Sequence, residues 1–397
     1  MNCGVGGICQ SGSCGCLTAG ATFCQETSGI LGNGGTCTWT DTDPGNCDAC
    51  GTHCADGGAC SAGSCSASLV TLASSNLDPI GPMGVAGGLV FWQNDGELDG
   101  GLVERNVMAA PSDGGASIVF APNAVLVGIA GGLVYWNGAW GDAGHALLES
   151  LPDGGSPRFV AAVDYLNSPV QSGQLESVAV DSQSVYWTEC VPDGLGTYNA
   201  YVKSTPIDGG PAAILAQSGG DQFPDFDSVA VDQSSVYWAV NEPATGGGAV
   251  YAMAKDGGSP TTLAPQQNYP SGLVVTNGTL YWADQGTASN STSGYHPGAL
   301  LGLSGGQPAT LWVAPMNGMP TSLSADSSAL YFWTYRSATD TTGAIVALAF
   351  DAGSPVGLAI DQDAMATASD GTSLYWISND SGGTIGSTGT IEKLTPK

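Results

Sequence analysis

Positive charge is what this 397-residue chain lacks most: seven Lys and Arg stand against thirty-five Asp and Glu, for a formal net charge of −28, and there are only three histidines. Nucleic-acid binding rests on Lys and Arg neutralising phosphates, so no nucleic-acid partner is expected. Anionic membrane surfaces and sulfated polymers are disfavoured for the same reason. Long apolar runs are also missing. The longest candidate, the interrupted stretch Val125 to Trp136, falls short of the roughly 18 to 20 residues of a membrane span, so none is expected. No basic, apolar leader opens the chain, and a secreted protein of this sequence is expected to be the mature form. Nucleophile elbow, P-loop, G-x-G-x-x-G fingerprint and H-E-x-x-H are all absent. What remains is 42% hydrophobic, enough for a sizeable core.

Cysteine is nearly confined to one end. Cys3, Cys9, Cys14, Cys16, Cys24, Cys37, Cys47, Cys50, Cys54, Cys60 and Cys65 crowd the first 66 residues, and only Cys190 lies downstream. Cys3, Cys9 and Cys14 are separated by five and then four residues, and Cys54, Cys60 and Cys65 repeat that spacing, so the head is a tandem pair. Gly-Gly and Ser-Gly turns fill the intervals, with almost no Leu, Ile, Val or Phe. A segment without an apolar core needs covalent bridges, so we read residues 1–66 as a disulfide module formed in an oxidising compartment. Zinc is the competing reading: Cys47, Cys50 and nearby His53 have suitable spacing, but no second C-x-x-C follows. Eleven is odd, so one head cysteine pairs with Cys190, stays unpaired, or bonds outside the sequence; Cys190 is the favoured partner.

The run Cys37 to Cys65, with Asp41-Thr42-Asp43-Pro44-Gly45-Asn46-Cys47 and Cys50-Gly51, resembles cysteine-rich modules that precede propellers in secreted proteins of myxobacteria and their relatives. Asp48 stands where that pattern usually has Gly. The resemblance implies a secreted or cell-surface location and no particular activity.

From residue 67 the composition turns to Val, Leu, Tyr and Trp between Gly, Asp and Ser turns. A signature recurs seven times: Val90-Phe91-Trp92, Val134-Tyr135-Trp136, Val185-Tyr186-Trp187, Val236-Tyr237-Trp238, Leu280-Tyr281-Trp282, Leu330-Tyr331-Phe332 and Leu374-Tyr375-Trp376. Its third positions are 44, 51, 51, 44, 50 and 44 residues apart, the length of a four-stranded blade. Asp113-Gly114-Gly115, Asp153-Gly154-Gly155, Asp208-Gly209-Gly210, Asp256-Gly257-Gly258, Ser304-Gly305-Gly306 and Asp351-Ala352-Gly353 mark hairpins before outer strands. Six such turns serve seven signatures. Leu69 to Ala73 looks like an outer strand without its blade, and is expected to complete the last one beside Thr390 to Leu394. The fold class expected is therefore all-β: a seven-bladed β-propeller over residues 67–397 behind a small disulfide-rich N-terminal domain. The signatures resemble those of the YWTD propellers, which typically have six blades and Thr-Asp after the Trp; here only Thr188 keeps the Thr and Asp284 the Asp. That resemblance implies paired aromatics packed between blades.

Loops that follow the aromatic strands share one face of such a ring, and variable loops on a rigid scaffold carry binding. The candidate ligand-binding residues there are Asp142, His145, Asp193, Tyr198, Asp225, Glu242, Asp284, His296, Tyr335 and Asp340. Asp221, Asp225 and Asp227 are the candidate metal set, and Ca²⁺ the cofactor such oxygens would take, although the stretch does not match an EF-hand loop. Seven-bladed lyases of the virginiamycin-inactivating kind use His, Glu and a metal near this mouth. His145 and His296 fall in blades two and five, nearly opposite, which makes a shared ion difficult. The expected function is extracellular binding of a glycan, peptide or protein partner. The alternatives are a metal-assisted lyase or hydrolase at the channel mouth, or a self-assembling subunit of a surface layer or fibre.

Overall fold

The computed structural model describes residues 68–395, except 76–77, 99–101, 142–143, 164–173, 193–197, 222–225, 242–247, 287–295, 304–306, 315–317, 338–339, 351–354, 363 and 380–388, together with six short strands in the head. In the head, Gly7–Gln10 pairs with Ser13–Cys16 so that Cys9 stands opposite Cys14. Cys60 stands opposite Cys65 in the second copy of the pattern. The disulfides expected there lie outside the described residues. So does any bond to Cys190, which is half-buried in the aromatic strand of blade three, opposite Gln174 and Ala200.

Seven four-stranded antiparallel sheets follow, and the described residues contain no helix. Blade one runs outward as Asp78–Ala86, Leu89–Leu98, Leu102–Pro111 and Ile118–Pro122. Blades two to six repeat that meander. Blade seven has three strands from the C-terminus, Ala364–Ser369, Leu374–Asn379 and Gly389–Thr395, and takes Ser68–Ser75 as its outermost, so the two ends of the propeller are bonded in one sheet.

Side chains alternate across a strand, so neighbouring residues of each signature face opposite ways. The middle aromatic packs toward the next blade, and the flanking aliphatic and third residue pack toward the preceding one. Phe91 meets Val134 and Trp136 of blade two. Tyr135 meets Val185 and Trp187, Tyr186 meets Val236 and Trp238, and Tyr237 packs beside Leu280 and Trp282. Tyr281 meets Leu330 and Phe332, Tyr331 meets Leu374 and Trp376, and Tyr375 closes the circle on Val90 and Trp92. The core is thus seven wedges between sheets. No blade can bury its aromatics alone, which is why the repeats form a ring.

The turns into the aromatic strands use two solutions. Blades one, two and five have two-residue turns, Gly87-Gly88, Gly131-Gly132 and Asn277-Gly278, with φ between 51° and 77° at all six positions. Primed hairpin turns demand that conformation. The other four blades use a longer turn opened by Asp181, Asp232, Asp326 or Asp370, each accepting hydrogen bonds from the backbone N–H groups two and three residues on. Three of these carboxylates also receive the hydroxyl of the signature tyrosine: Tyr186 at 3.3 Å, Tyr237 at 2.7 Å and Tyr375 at 2.7 Å. Burial pushes the Asp232 carboxyl up, but the Tyr237 hydroxyl and the Ser234 and Ser235 amides outweigh it and hold the group below the usual carboxylate range. Burial and the bond to Asp232 raise the Tyr237 hydroxyl to about 12.

Scarce basic residues tie blades together. Arg158 of blade two pairs with Glu149 and donates from Nη1 to the Ile207 carbonyl of blade three at 2.6 Å. Lys255 of blade four reaches the Asp181 carboxylate of blade three. Lys393 of blade seven donates to the Ser112 carbonyl of blade one at 2.7 Å. Lys203 lies buried 2.9 Å from Glu189. Four of the seven cations are therefore spent on the scaffold, which leaves the surface acidic.

Candidate functional site

Two residues of the expected ligand set are described in full around their carboxylate or imidazole in blade five. Asp284 ends the aromatic strand Thr279–Asp284 and is buried, its carboxylate accepting from the Asn268 amide at 3.1 Å and the Gly286 amide at 3.2 Å. Burial pushes this carboxyl above its ordinary range; the two amides and nearby His296 oppose that without cancelling it. Gly286 has φ +75°, and a Cβ there would fall 2.4 Å from the His296 carbonyl oxygen, so the base of this loop closes only on glycine. Asp284 thus secures the loop's base. His296 is exposed beside it.

The remaining candidates scatter. His145 opens the third strand of blade two, half-buried, opposite Ala139. Asp227 donates no free face: its Oδ2 accepts from the Gly272 amide of blade five at 3.3 Å, stitching inner strands together. Ser228 does likewise, receiving the Leu273 amide at 3.2 Å, and Ser177 receives that of Val229. Asp142, Asp193, Asp225 and Glu242 lie outside the described residues, as do the side chains of Tyr198, Asp221, Tyr335 and Asp340. The Asp221, Asp225, Asp227 set is therefore described only at Asp227, and among the described residues no three His, Cys, Asp or Glu side chains gather as a metal site.

A site not anticipated from the sequence opens instead between blades one and two. It is a groove of about 440 Å³ lined by Phe120, Asn123, Trp136, Gly138, Trp140 and Ser150, among others. Its floor is Phe120 edge-to-face on Trp136, ring centroids 5.7 Å apart, backed in the core by Phe91 at 5.0 Å from Phe120. One wall is formed by Trp140, 37% exposed, whose ring rests against that of Phe159, 6.1 Å away and inclined by 43°. The groove runs from the loop-rich face, at Asn123 and Trp140, to the turn at Gly154 and Gly155 on the other.

Its origin is visible when the seven repeats are aligned on their signatures. Two places after the third signature residue stand Asn94, Gly138, Glu189, Val240, Asp284, Thr334 and Ser378. Blade two alone has glycine there. A Cβ on Gly138 would lie 3.2 Å from Trp136 and 3.3 Å from Leu148, so any side chain would fill the groove. Two places further, blade two alone has tryptophan, where the others have Gly96, Val191, Glu242, Gly286, Arg336 and Asp380. Trp140 is held in place by its amide, which donates to the Gly144 carbonyl at 2.9 Å. Among the described residues no ionisable side chain lines the groove; Asp142, in the loop that follows Trp140, lies outside them.

The fold and this groove define the class: a seven-bladed β-propeller with a cleft between blades one and two. No family model matches the sequence, and no curated protein is similar to it. Solved structures of similar fold include the β-propeller domain of the Trilobed protease from Pyrococcus furiosus, 9% identical over 76% of this chain and 91% of that one, with TM-score 0.52. An oligogalacturonate lyase from Vibrio parahaemolyticus is 11% identical over 82% and 93%, TM-score 0.52. An acylaminoacyl peptidase is 9% identical over 79% of this chain and 51% of its own, TM-score 0.55. At these identities the likeness is one of fold. No helix among the described residues is long and apolar enough to cross a membrane.

Proposed function

We propose that the chain is an extracellular binding protein whose ligand seats in the groove between blades one and two. The observation that carries this reading is the departure of blade two from its six sister repeats at two positions, Gly138 near the end of the aromatic strand and Trp140 just past it. One deletes a side chain where the wedge would be filled; the other exposes a large aromatic surface that the core does not use. Packing gains nothing from either change, because a cleft loses contacts and an exposed ring forfeits burial. A preformed, mostly apolar hollow of a few hundred Å³ with several polar groups is the usual form of a ligand site. The carboxylates that a catalytic reading would recruit, Asp227 and Asp284, are engaged by backbone amides.

The test offers the full chain a panel of oligosaccharides and apolar peptides, with calorimetry for binding and mass spectrometry for the ligand afterwards. The expected result is reversible binding of a ligand recovered intact, abolished in Gly138→Leu and weakened in Trp140→Ala. Conversion of the ligand to products, or binding indifferent to both substitutions, would overturn the proposal.

A further inference from the structure

We infer that the occupant of the groove is an uncharged oligosaccharide, one sugar ring laid against Trp140; this rests on the binding reading above. Charge makes the first selection. A chain of net charge −28 repels uronate, sulfated and phosphorylated glycans, and among the described residues the groove offers no cation to offset that repulsion. Cationic ligands are not favoured either, because no carboxylate among the described residues lines the groove. An uncharged ligand avoids both penalties.

Shape and polarity make the second. A pyranose ring has a face of C–H groups and a rim of hydroxyls. The groove has the matching parts: the ring of Trp140 at its wall, and Asn123, Ser150 and the backbone of Gly154 and Gly155 along its length. A large rigid aromatic supplies contact area at little entropic cost, and the 37% exposure of Trp140 leaves ring surface for the incoming sugar. The hollow spans the blade from one face to the other, so it suits a chain of sugars better than a single residue.

The deciding experiment titrates the full chain with neutral cello-, xylo- and chito-oligosaccharides, with oligogalacturonate and heparin as acidic probes and an apolar peptide as the other class. Tryptophan emission and calorimetry report binding, and circular dichroism confirms that each variant is folded. A neutral oligosaccharide is expected to bind saturably and with little salt dependence. Trp140→Ala should weaken it about 30-fold, the loss typical of an aromatic anchor, and Trp140→Phe should keep most of the affinity. Preference for an acidic probe, failure of all neutral sugars, or equal affinity in Trp140→Ala would each overturn the inference. Groove-dependent binding of the peptide alone would overturn the sugar while leaving the binding reading in place.

Discussion

Ring closure makes a quantitative prediction at Leu72. This residue belongs to Ser68–Ser75, the strand that the start of the propeller contributes to blade seven, and it is 8% exposed among Met83, Trp92, Tyr375, Ile377 and Ile391. Two residues away, Val70 lies 45% exposed opposite Lys393. Leu72→Ala removes three buried carbons, a transfer loss of roughly 2.4 kcal/mol at about 0.8 per methylene. The cavity left behind brings the cost to about 3 kcal/mol or more. Val70→Ala, on the solvent side of the same strand, should cost under about 1 kcal/mol. With a urea slope of about 3 kcal/mol/M, the Leu72 variant should unfold about 1 M earlier than wild type. Hydrogen exchange should speed up in Gly389–Thr395, the partner strand, and leave blades three to five unchanged. Equal midpoints for the two variants would refute the claim that this strand carries the closure.

Three further outcomes follow from the same geometry. A Cβ on Gly84 would fall 2.3 Å from Ile129 Cγ1, whereas one on Gly128 would lie 3.1 Å from Val178. Gly84→Ala should therefore cost about 1–3 kcal/mol through overpacking, and Gly128→Ala clearly less, as measured by chemical denaturation. Because hydrogen bonds hold the folded Asp232 carboxyl below its usual range, its contribution is present above pH about 4 and is lost as pH falls through the depressed value. Asp232→Ala should cost about 1–2 kcal/mol at pH 7 and flatten that acid limb; an unchanged limb would contradict the assignment. Asp284 has the opposite sign: its folded carboxyl is raised by burial, so stability falls as pH climbs from about 3.9 through the raised value. Asp284→Asn should be at least as stable as wild type at pH 7, with the gap narrowing toward pH 3.5 in thermal melts.

The ring itself was legible because its determinant is a local pattern. An aliphatic-aromatic-aromatic triplet at blade-length spacing specifies two opposite strand faces, and two faces on each of seven sheets leave a circle as the packing solution. The YWTD likeness pointed to the same inter-blade role for the aromatics, with seven blades here instead of six. The site was not legible in the same way. Asp227 and Asp284 read as loop carboxylates, and nothing local shows that backbone amides of another turn or blade reach them. The Asp turns escaped notice because the tyrosine that engages each carboxylate reads as core filling when taken alone. The groove escaped because it is built from a missing side chain, Gly138, whose meaning appears only against the six occupied equivalents. Trp140 lies outside the signatures, whose tryptophans Trp92, Trp187, Trp238, Trp282 and Trp376 are almost fully buried, so nothing in the repeat pattern singles it out.

The most direct test of the account is a crystal structure of the full chain grown with a neutral oligosaccharide. Density for sugar rings against Trp140, between Phe120 and Ser150, is the predicted result. Ligand density at the channel mouth near Asp227, or on the Asp284 loop, with the blade one and two groove empty, would contradict it.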